Sequence, residues 1–287
     1  MTVFDGSRDL KQLIRDLFMF VDEAVDFNRL SENQIARMIQ DAYSSLMITA
    51  LTLYPFRFLE YKDYVFTGTD TPQELPGNIY RIICLCVPDT DTATIFNPGW
   101  AKAGIIENPN DREYGSAYIV NETISAFEYS GTLRLIYSRR PPSLHYGQAA
   151  AGTANTLTFG STIIGTKILS TDHYKNGYIA LLTVSEGEVI ARETHRITGN
   201  TAAGVVTIAD TFTTAPGAGA YYSIIPEIRK EFDNLILWEA IKRSSAWMKK
   251  ISEGLDIYGT IRELKDQYTM SLSHENTAFV SKGDWEE

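Results

Sequence analysis

The chain opens with two segments in which apolar residues recur every three or four positions. In the first segment this spacing runs through residues 10–25, with charged residues on the opposite side. The second segment begins at Ser31, which forms a capping-box pattern with Gln34, and it ends before Pro55, which cannot continue a helix. The pattern predicts a helical hairpin over residues 8–54.

The periodicity changes to two between residues 56 and 143. Short runs such as "GNIYRIICLCV" and "GTLRLIYS" alternate with Asp, Asn, Gly and Pro, which predicts a small, mostly antiparallel sheet. The prolines that follow Arg139 and Arg140 in "RRPPSL" end the last of these strands. The arginine pair lacks interleaved aromatic residues and a wider basic cluster, which favours a solvated loop over a nucleic-acid contact.

A stretch rich in Ala, Gly, Thr and branched residues follows, and its strand-like runs predict a compact β module over residues 151–226. The module ends in "TFTTAPGAGAYYSI". No helix and no lysine follow these glycines, so the pattern indicates a turn and not a phosphate-binding loop. Tyr221 and Tyr222 should then point to opposite faces of the last strand.

Helical spacing returns after Pro226 and continues to Leu272. The run "LILW", residues 235–238, broadens the apolar stripe and predicts contacts on more than one side. The two helical regions should therefore pack together although the β segments separate them. The remaining tail, "SHENTAFVSKGDWEE", is polar and has no periodicity.

The predicted fold class is α+β. Residues 1–150 and 227–272 are expected to form a discontinuous body, made of a helical bundle with a small antiparallel β-sheet. Residues 151–226 are expected to form an inserted β-barrel- or sandwich-like module that tolerates removal better than the body does. Residues 273–287 are expected to form a flexible C-terminal tail.

Composition narrows the possible functions. With 287 residues, 44% of them hydrophobic and 22% charged, the chain can bury a core without metal or disulfide staples. The formal charge of -10 argues against a surface that neutralises DNA phosphates, but it permits a channel through which DNA passes without binding. The chain has no apolar run of about 20 residues to span a membrane and no signal-peptide pattern at its start, so we expect it to be assembled in the cytoplasm.

The two cysteines predict free thiols. Cys84 and Cys86 alternate on a predicted strand, where their spacing is at the limit for a disulfide, and the four histidines are scattered singly. A metal site is therefore not expected.

Several titratable side chains lie close in sequence, but each group lacks a component that catalysis requires. They are Asp89 with Asp91, Glu186 with Glu188, Asp172 with His173, and His274. The acidic pairs occur in turn-like contexts, the Asp–His dipeptide has no nucleophile placed by its spacing, and Ala278 stands where a zincin motif needs its second histidine. We therefore expect no enzymatic activity and no cofactor.

Four segments, in their order along the chain, resemble the head-tail connector or portal-adaptor proteins of tailed bacteriophages. They are "SENQIARMIQDAYSSLMITALTLYPFRF", "ELPGNIYRIICL", "GTLRLIYSRRPPSL" and "EFDNLILWEAIKRSSAWM". The inserted module, "DHYKNGYIALLTVSEGEVIARETHRITGN" with its Gly-rich end, is similar to a β module common in phage virion proteins. Two features depart from the family: "GNIY" replaces the usual acidic and aromatic residues after the "LP" step, and the insertion makes this chain larger than minimal connectors.

The resemblance implies a structural virion protein at the head-tail junction. Its partners would be further copies of itself in a homo-oligomeric ring, a dodecamer by analogy, together with the portal protein and a tail or nozzle protein. Genomic DNA would pass through the lumen without sequence-specific binding, and no membrane would be involved. Two alternatives remain: a tail or baseplate binding protein whose β module contacts a protein or glycan, and a hydrolase with an unrecognised site.

The tail contains three apolar residues that are costly to leave in water: Phe279, Val280 and Trp285. The resemblance implies that the C-terminal segment lies against the portal, with these residues as the docking contacts. The alternative is an ordinary frayed terminus.

Overall fold

The structure is a computed structural model. It describes residues 8–21, 31–54, 58–68, 71–88, 117–120, 122–126, 129–185, 188–228, 230–243 and 257–280. Strand residues outnumber helical residues, 42% against 31%, so the predicted fold class is wrong. The body is built around a closed six-stranded barrel and is not a helical bundle.

The helices are α1 (Leu10–Val21), α2 (Glu32–Leu53), α3 (Asp233–Lys242, preceded by a 3-10 turn at Lys230–Phe232) and α4 (Ile257–Val280). The strands are β1 (Leu59–Thr67), β2 (Gln73–Glu74), β3 (Ile79–Cys86), β4 (Ala117–Val120), β5 (Thr123–Ala126), β6 (Ser130–Arg139), β7 (His145–Gly152), β8 (Thr156–Gly165), β9 (Tyr178–Ser185), β10 (Glu188–Asn200), β11 (Val205–Ile208) and β12 (Tyr221–Ile225).

The chain divides into two compact units. One unit contains residues 1–54 and 141–287, which comprise the helices and the barrel, and the other contains residues 55–140. The sequence predicts instead that the small sheet and the helices form one body and that the β module is separate. The grouping differs because the apolar stripes of the helices are buried on the barrel.

The unit of residues 55–140 contains the short antiparallel strands that the period of two predicted. They form two three-stranded sheets, in the orders β1-β6-β3 and β2-β5-β4. One face of the first sheet is buried and places Tyr64 opposite Leu133 and Leu85 opposite Leu135. This unit therefore has a hydrophobic core of its own.

The barrel is closed by antiparallel pairing in the order β10-β11-β8-β7-β12-β9. It begins at His145, before the boundary expected at residue 151. The predicted alternation in its last strand is confirmed, because Tyr222 is buried in the barrel while Tyr221 is half-buried and stacks on Tyr146, with 5.8 Å between ring centroids.

Glycines allow β7 and β8 to approach each other closely. A Cβ atom at Gly147 would lie 2.4 Å from the carbonyl oxygen of Ser161, and one at Gly160 would lie 2.5 Å from that of Gln148. The glycine-rich stretch before β12 is a turn, as predicted, and Gly219 adopts a left-handed conformation there with φ of 84°.

Two helices from the N-terminal part of the chain pack on the barrel. Helix α2 starts with the predicted capping box at Ser31 and packs on β8, while α1 packs on β7 and β12. Side chains of α2 also bind backbone groups next to the barrel. The Leu144 N–H donates to Gln40 Oε1 (2.6 Å), and the Glu227 N–H donates to the Tyr43 hydroxyl (3.0 Å).

The predicted contact between the two helical regions is confirmed. Helix α3 packs on both α1 and α2, and the Arg8 N–H donates to Asp233 Oδ2 (2.9 Å). The Tyr268 hydroxyl of α4 lies 3.8 Å from Met47 Sδ of α2. Residues 235–237 are all buried, as the broad "LILW" stripe predicted.

The division into units predicts which segment can be removed. Replacing residues 55–140 with about ten Gly/Ser residues should leave the barrel and helices folded, because these residues hold a separate core. Replacing residues 155–219 in the same way should unfold the chain, because it removes most of the barrel on which α1 and α2 pack. Thermal unfolding followed by circular dichroism measures both. The opposite ranking would support the sequence-based domain boundaries.

The close approach of β7 and β8 predicts a large difference between two glycine substitutions. Gly147→Ala should cost more than about 2 kcal/mol of unfolding free energy, because the clash is with a backbone carbonyl that cannot rotate away. Gly217→Ala, in the turn before β12, meets no atom within 4 Å and should change stability by less than about 0.5 kcal/mol. Urea unfolding of the two variants tests this, and equal costs would show that the strands adjust freely.

Candidate functional site

A polar network lies inside the barrel at the start of β7. The Tyr174 hydroxyl accepts a hydrogen bond from the Ile168 N–H (2.8 Å), and it lies 3.0 Å from Ser143 Oγ and 3.4 Å from His145 Nδ1. The Ser143 N–H donates to His173 Nε2 (3.2 Å). The network connects the residues at the start of β7 to the turn before β9.

His145 is fully buried among aromatic rings. It packs edge-on against Phe159, Tyr174 and Tyr222, with centroid distances of 4.8, 5.3 and 5.4 Å. Burial, opposed by a hydrogen bond with the Ser143 backbone and assisted by the positive charge of Lys167, lowers the pKa of His145 to about 3. The imidazole is therefore neutral at pH 7 and serves as part of the packed core.

The tyrosines of this network keep their protons. Burial raises the pKa of both Tyr174 and Tyr222 above the ordinary value. Within the described residues, the Tyr222 hydroxyl and His145 Nε2 have no hydrogen-bond partner. These groups fill the core and do not form a nucleophile with an adjacent base.

A second histidine lies near the end of the barrel. His195, on β10, is 4% exposed; its Nδ1 lies 2.7 Å from Asp210 Oδ1 and its Nε2 lies 3.0 Å from Glu193 Oε1. The ring of Phe212 packs edge-on against it at 4.6 Å. Glu193 and His195 share a face because they are two positions apart on a strand, but nothing in the sequence indicated that Asp210 joins them.

A third polar group joins α1 to the barrel. Asp9 precedes α1 and accepts from the Gln12 N–H (3.0 Å), while Arg192 of β10 donates to Gln12 Oε1 (3.2 Å). Burial raises the pKa of Asp9, and hydrogen bonds from the helix and the charge of Arg192 oppose this. Glu239 of α3 is buried and pairs with Lys265 of α4. These contacts fasten helices to the rest of the fold.

Of the two arginines at the end of β6, Arg140 lies in the solvated loop that the sequence favoured, whereas Arg139 lies in the strand. The Arg139 side chain is 12% exposed and pairs with the buried Glu60 (2.9 Å), which also accepts from the Tyr137 hydroxyl (3.1 Å). Arg140 is exposed. Arg139 therefore stabilises the unit of residues 55–140.

The proposed docking residues fall at the end of the described chain. Phe279 and Val280 lie in the last turn of α4, which continues past Leu272, where the sequence placed the start of a flexible tail. Trp285 lies outside the described residues. The structure therefore assigns a helical backbone to the first part of that tail.

Among the titratable groups dismissed from the sequence, the structure describes Asp172, His173, Glu188 and His274. Asp172 lies in a turn with φ of 58°, while the His173 ring turns away to Ser143. Glu188 begins β10, His274 lies within α4, and Asp89, Asp91 and Glu186 lie outside the described residues. Cys84 is half-buried and forms no disulfide within the part of the chain that the structure describes.

No cluster of three or more His, Cys, Asp or Glu side chains within the described residues could hold a metal ion. None of the helices in the described ranges is both long and apolar enough to cross a membrane.

Because His145 is buried, we expect acid to lower the stability of the folded state. Its pKa is about 3 in the folded chain and 6.5 ordinarily, so the unfolded state takes up a proton first as pH falls below 6.5. The folded state should lose up to about 1.4 kcal/mol of stability per pH unit from this group.

Urea unfolding of the wild type and of His145→Gln, at pH values between 6.5 and 4.5, measures that contribution. The variant cannot titrate at this position, so its stability should fall less steeply with acid. Parallel pH profiles would show that the His145 imidazole is accessible to protons in the folded state.

A scan against protein-family models finds no match to this chain, and a search of curated protein sequences finds none either.

Proposed function

We propose that this chain is a non-enzymatic structural subunit of a tailed bacteriophage, an adaptor that joins the portal to the tail at the head-tail junction. The observation that supports the proposal is that the buried polar groups of the barrel form hydrogen bonds within its core. Tyr174, Ser143 and His145 bind one another or backbone groups within a core filled by aromatic rings. A core of this kind serves as a rigid block in an assembly.

The assembly that the chain would join is inferred from the order of its sequence segments. The helix pair, the strand that starts after "ELPGN" and the closing helices occur in the order that resembles portal adaptors. The helices from the two ends of the chain pack together, and α1 and α2 also pack on the barrel. Fold alone does not specify function, so the adaptor role depends on this resemblance together with the packed barrel.

The barrel argues against the glycan-binding alternative. Such a site needs exposed aromatic rings clustered on the module. Among the barrel residues that the structure describes, every Tyr and Phe side chain is buried or half-buried. A hydrolase needs titratable groups that converge where substrate can reach them, whereas His145 is completely enclosed.

In the proposed assembly, copies of the chain form a closed ring, a dodecamer by analogy, between the portal protein and a tail or nozzle protein. Genomic DNA moves through the lumen. The net charge of -10 suits a wall that repels phosphates and so gives DNA no sequence-specific binding site. The proposal includes no membrane partner and no cofactor.

Ring formation is the direct test. Purified chain, examined over a concentration series by mass photometry and by electron microscopy, should form closed rings of one symmetry with a lumen wide enough for duplex DNA. A particle that stays monomeric at every concentration, or a ring whose lumen is strongly basic, would contradict the proposal.

The C-terminal residues are proposed to dock on the portal. Truncation after Leu272 should leave the subunit folded, because Leu272 is the last buried side chain described in α4. It should abolish binding to isolated portal rings of the same virus, measured by co-sedimentation. The paired substitution Phe279→Ala with Trp285→Ala should weaken binding similarly, whereas Lys282→Ala, between them, should not. Undiminished binding by the truncated chain would disprove the docking role.

A further inference from the structure

An exposed apolar surface lies on the barrel beside β8. We define the barrel patch as Ile163 of β8, Ile168 and Leu169 of the loop that follows, and Ala202 and Ala203 of the turn between β10 and β11. All five side chains are exposed. In the barrel as far as the structure describes it, Ile163, Ile168 and Leu169 are the only large apolar side chains that are exposed. A concentration of this kind marks a contact surface.

The segments that form the barrel patch lie side by side. Lys167 Nζ donates to the carbonyl of Gly160 (2.7 Å), which holds the loop against β8. The Phe159 N–H of β8 donates to the carbonyl of Gly204 (2.9 Å), next to the alanines of the turn. A Cβ atom at Gly204 would lie 3.0 Å from Leu169 Cδ2, so the loop also contacts the turn. The patch is therefore one continuous surface.

Hydrogen bonds fix the backbone around the barrel patch. Asn200 Nδ2 donates to the carbonyl of Ser170 (2.7 Å), and the Asp172 N–H donates to the carbonyl of Asn200 (2.8 Å). The Gly204 N–H donates to the carbonyl of Thr201 (3.0 Å), which closes the turn. A surface that is already ordered loses little conformational entropy when a partner binds to it.

The barrel patch contains no charged residue. Among the six barrel strands, only β10 contains Asp, Glu, Lys or Arg. Lys167 lies in the loop, but its Nζ is bound to Gly160. The half-buried Asp172 lies at the edge of the patch, where its Oδ1 would be 3.2 Å from a Cβ atom at Gly199. The patch thus has an apolar centre with polar groups at its edge, as the centres of protein interfaces have.

The charge of the whole chain indicates which partner the barrel patch fits. Copies of a chain with a formal charge of -10 repel one another, so they meet most favourably at surfaces without acidic groups. A basic protein would be attracted to acidic surfaces instead, and nucleic acid would need a basic one. An uncharged apolar surface on an acidic chain therefore fits a second copy of the same chain.

We propose that the barrel patch is the contact through which each copy of this chain binds the next copy in the ring. This inference rests on the proposed adaptor function, because that function supplies the ring. A closed ring of more than two copies has head-to-tail contacts, so the patch meets a different surface of the neighbouring copy. The barrel then joins adjacent subunits, and its packed core keeps the contact rigid.

Sedimentation velocity of the full-length chain over a concentration series tests the contact. The substitution is Leu169→Glu, which changes a side chain that is 49% exposed and so leaves folding intact. A charge enclosed in the contact loses its water, so the concentration at which half of the chain is assembled should rise at least about tenfold. Thermal unfolding followed by circular dichroism should match the wild type.

Two further variants separate burial in the contact from overall charge. Leu169→Lys should weaken assembly as Leu169→Glu does, because either charge is enclosed without a partner. If only repulsion between acidic copies mattered, Leu169→Lys would assemble better than the wild type. Thr183→Glu adds the same negative charge at an exposed position of β9 and should assemble as the wild type does.

The outcomes distinguish the contact from the adaptor role. Wild-type rings that persist unchanged in Leu169→Glu would overturn the contact and leave the adaptor role standing. An equal loss of assembly in Thr183→Glu and Leu169→Glu would show that added charge alone is responsible, which also overturns the contact. A wild type that stays monomeric at every concentration would contradict both the adaptor role and the contact.

Discussion

The packing of α1 and α2 on one closed barrel is the constraint on which the main unit depends. Helices α1 and α2 have apolar stripes that cannot remain in water, and the barrel supplies the surface that covers them. Bonds such as Leu144 N–H to Gln40 fix the position of α2 on that surface. Helix α3 then packs on α1 and α2, so helices from the two ends of the sequence are in contact.

This constraint explains why the barrel is part of the body. A six-stranded barrel of this size has a small core, and the outer faces of β7, β8 and β12 gain cover from α1 and α2. The close approach of β7 to β8 requires glycine at Gly147 and Gly160. The unit of residues 55–140 does not depend on this packing, because its two small sheets form a hydrophobic core from the unit's own side chains.

The barrel holds two buried histidines in different surroundings. His145 is enclosed by aromatic rings, and burial lowers its pKa so that it is neutral at pH 7. His195 stands between the carboxylates of Glu193 and Asp210, with the Phe212 ring against it. The two rings therefore have different neighbours although both are buried.

The sequence by itself determined the local elements whose signal is periodic. It predicted the capping box at Ser31, the two helical regions and their contact, the antiparallel strands of residues 56–143 and the turn at Gly219. It also predicted the opposite faces of Tyr221 and Tyr222. These features depend on the spacing of residues within about one element, which a sequence displays directly.

Only the tertiary structure decided what the helices cover and which polar groups meet. An apolar stripe shows that a surface must be buried, but it does not specify whether another helix or a barrel buries it, and this is why the helical-bundle body was wrong. The cluster of His195, Glu193 and Asp210 depends on the register of the hairpin formed by β10 and β11, which brings Asp210 beside a residue fifteen positions earlier. Likewise, His145 and Tyr222 lie far apart in the chain and meet only because β7 and β12 are neighbours in the closed sheet, a pairing that no local pattern encodes.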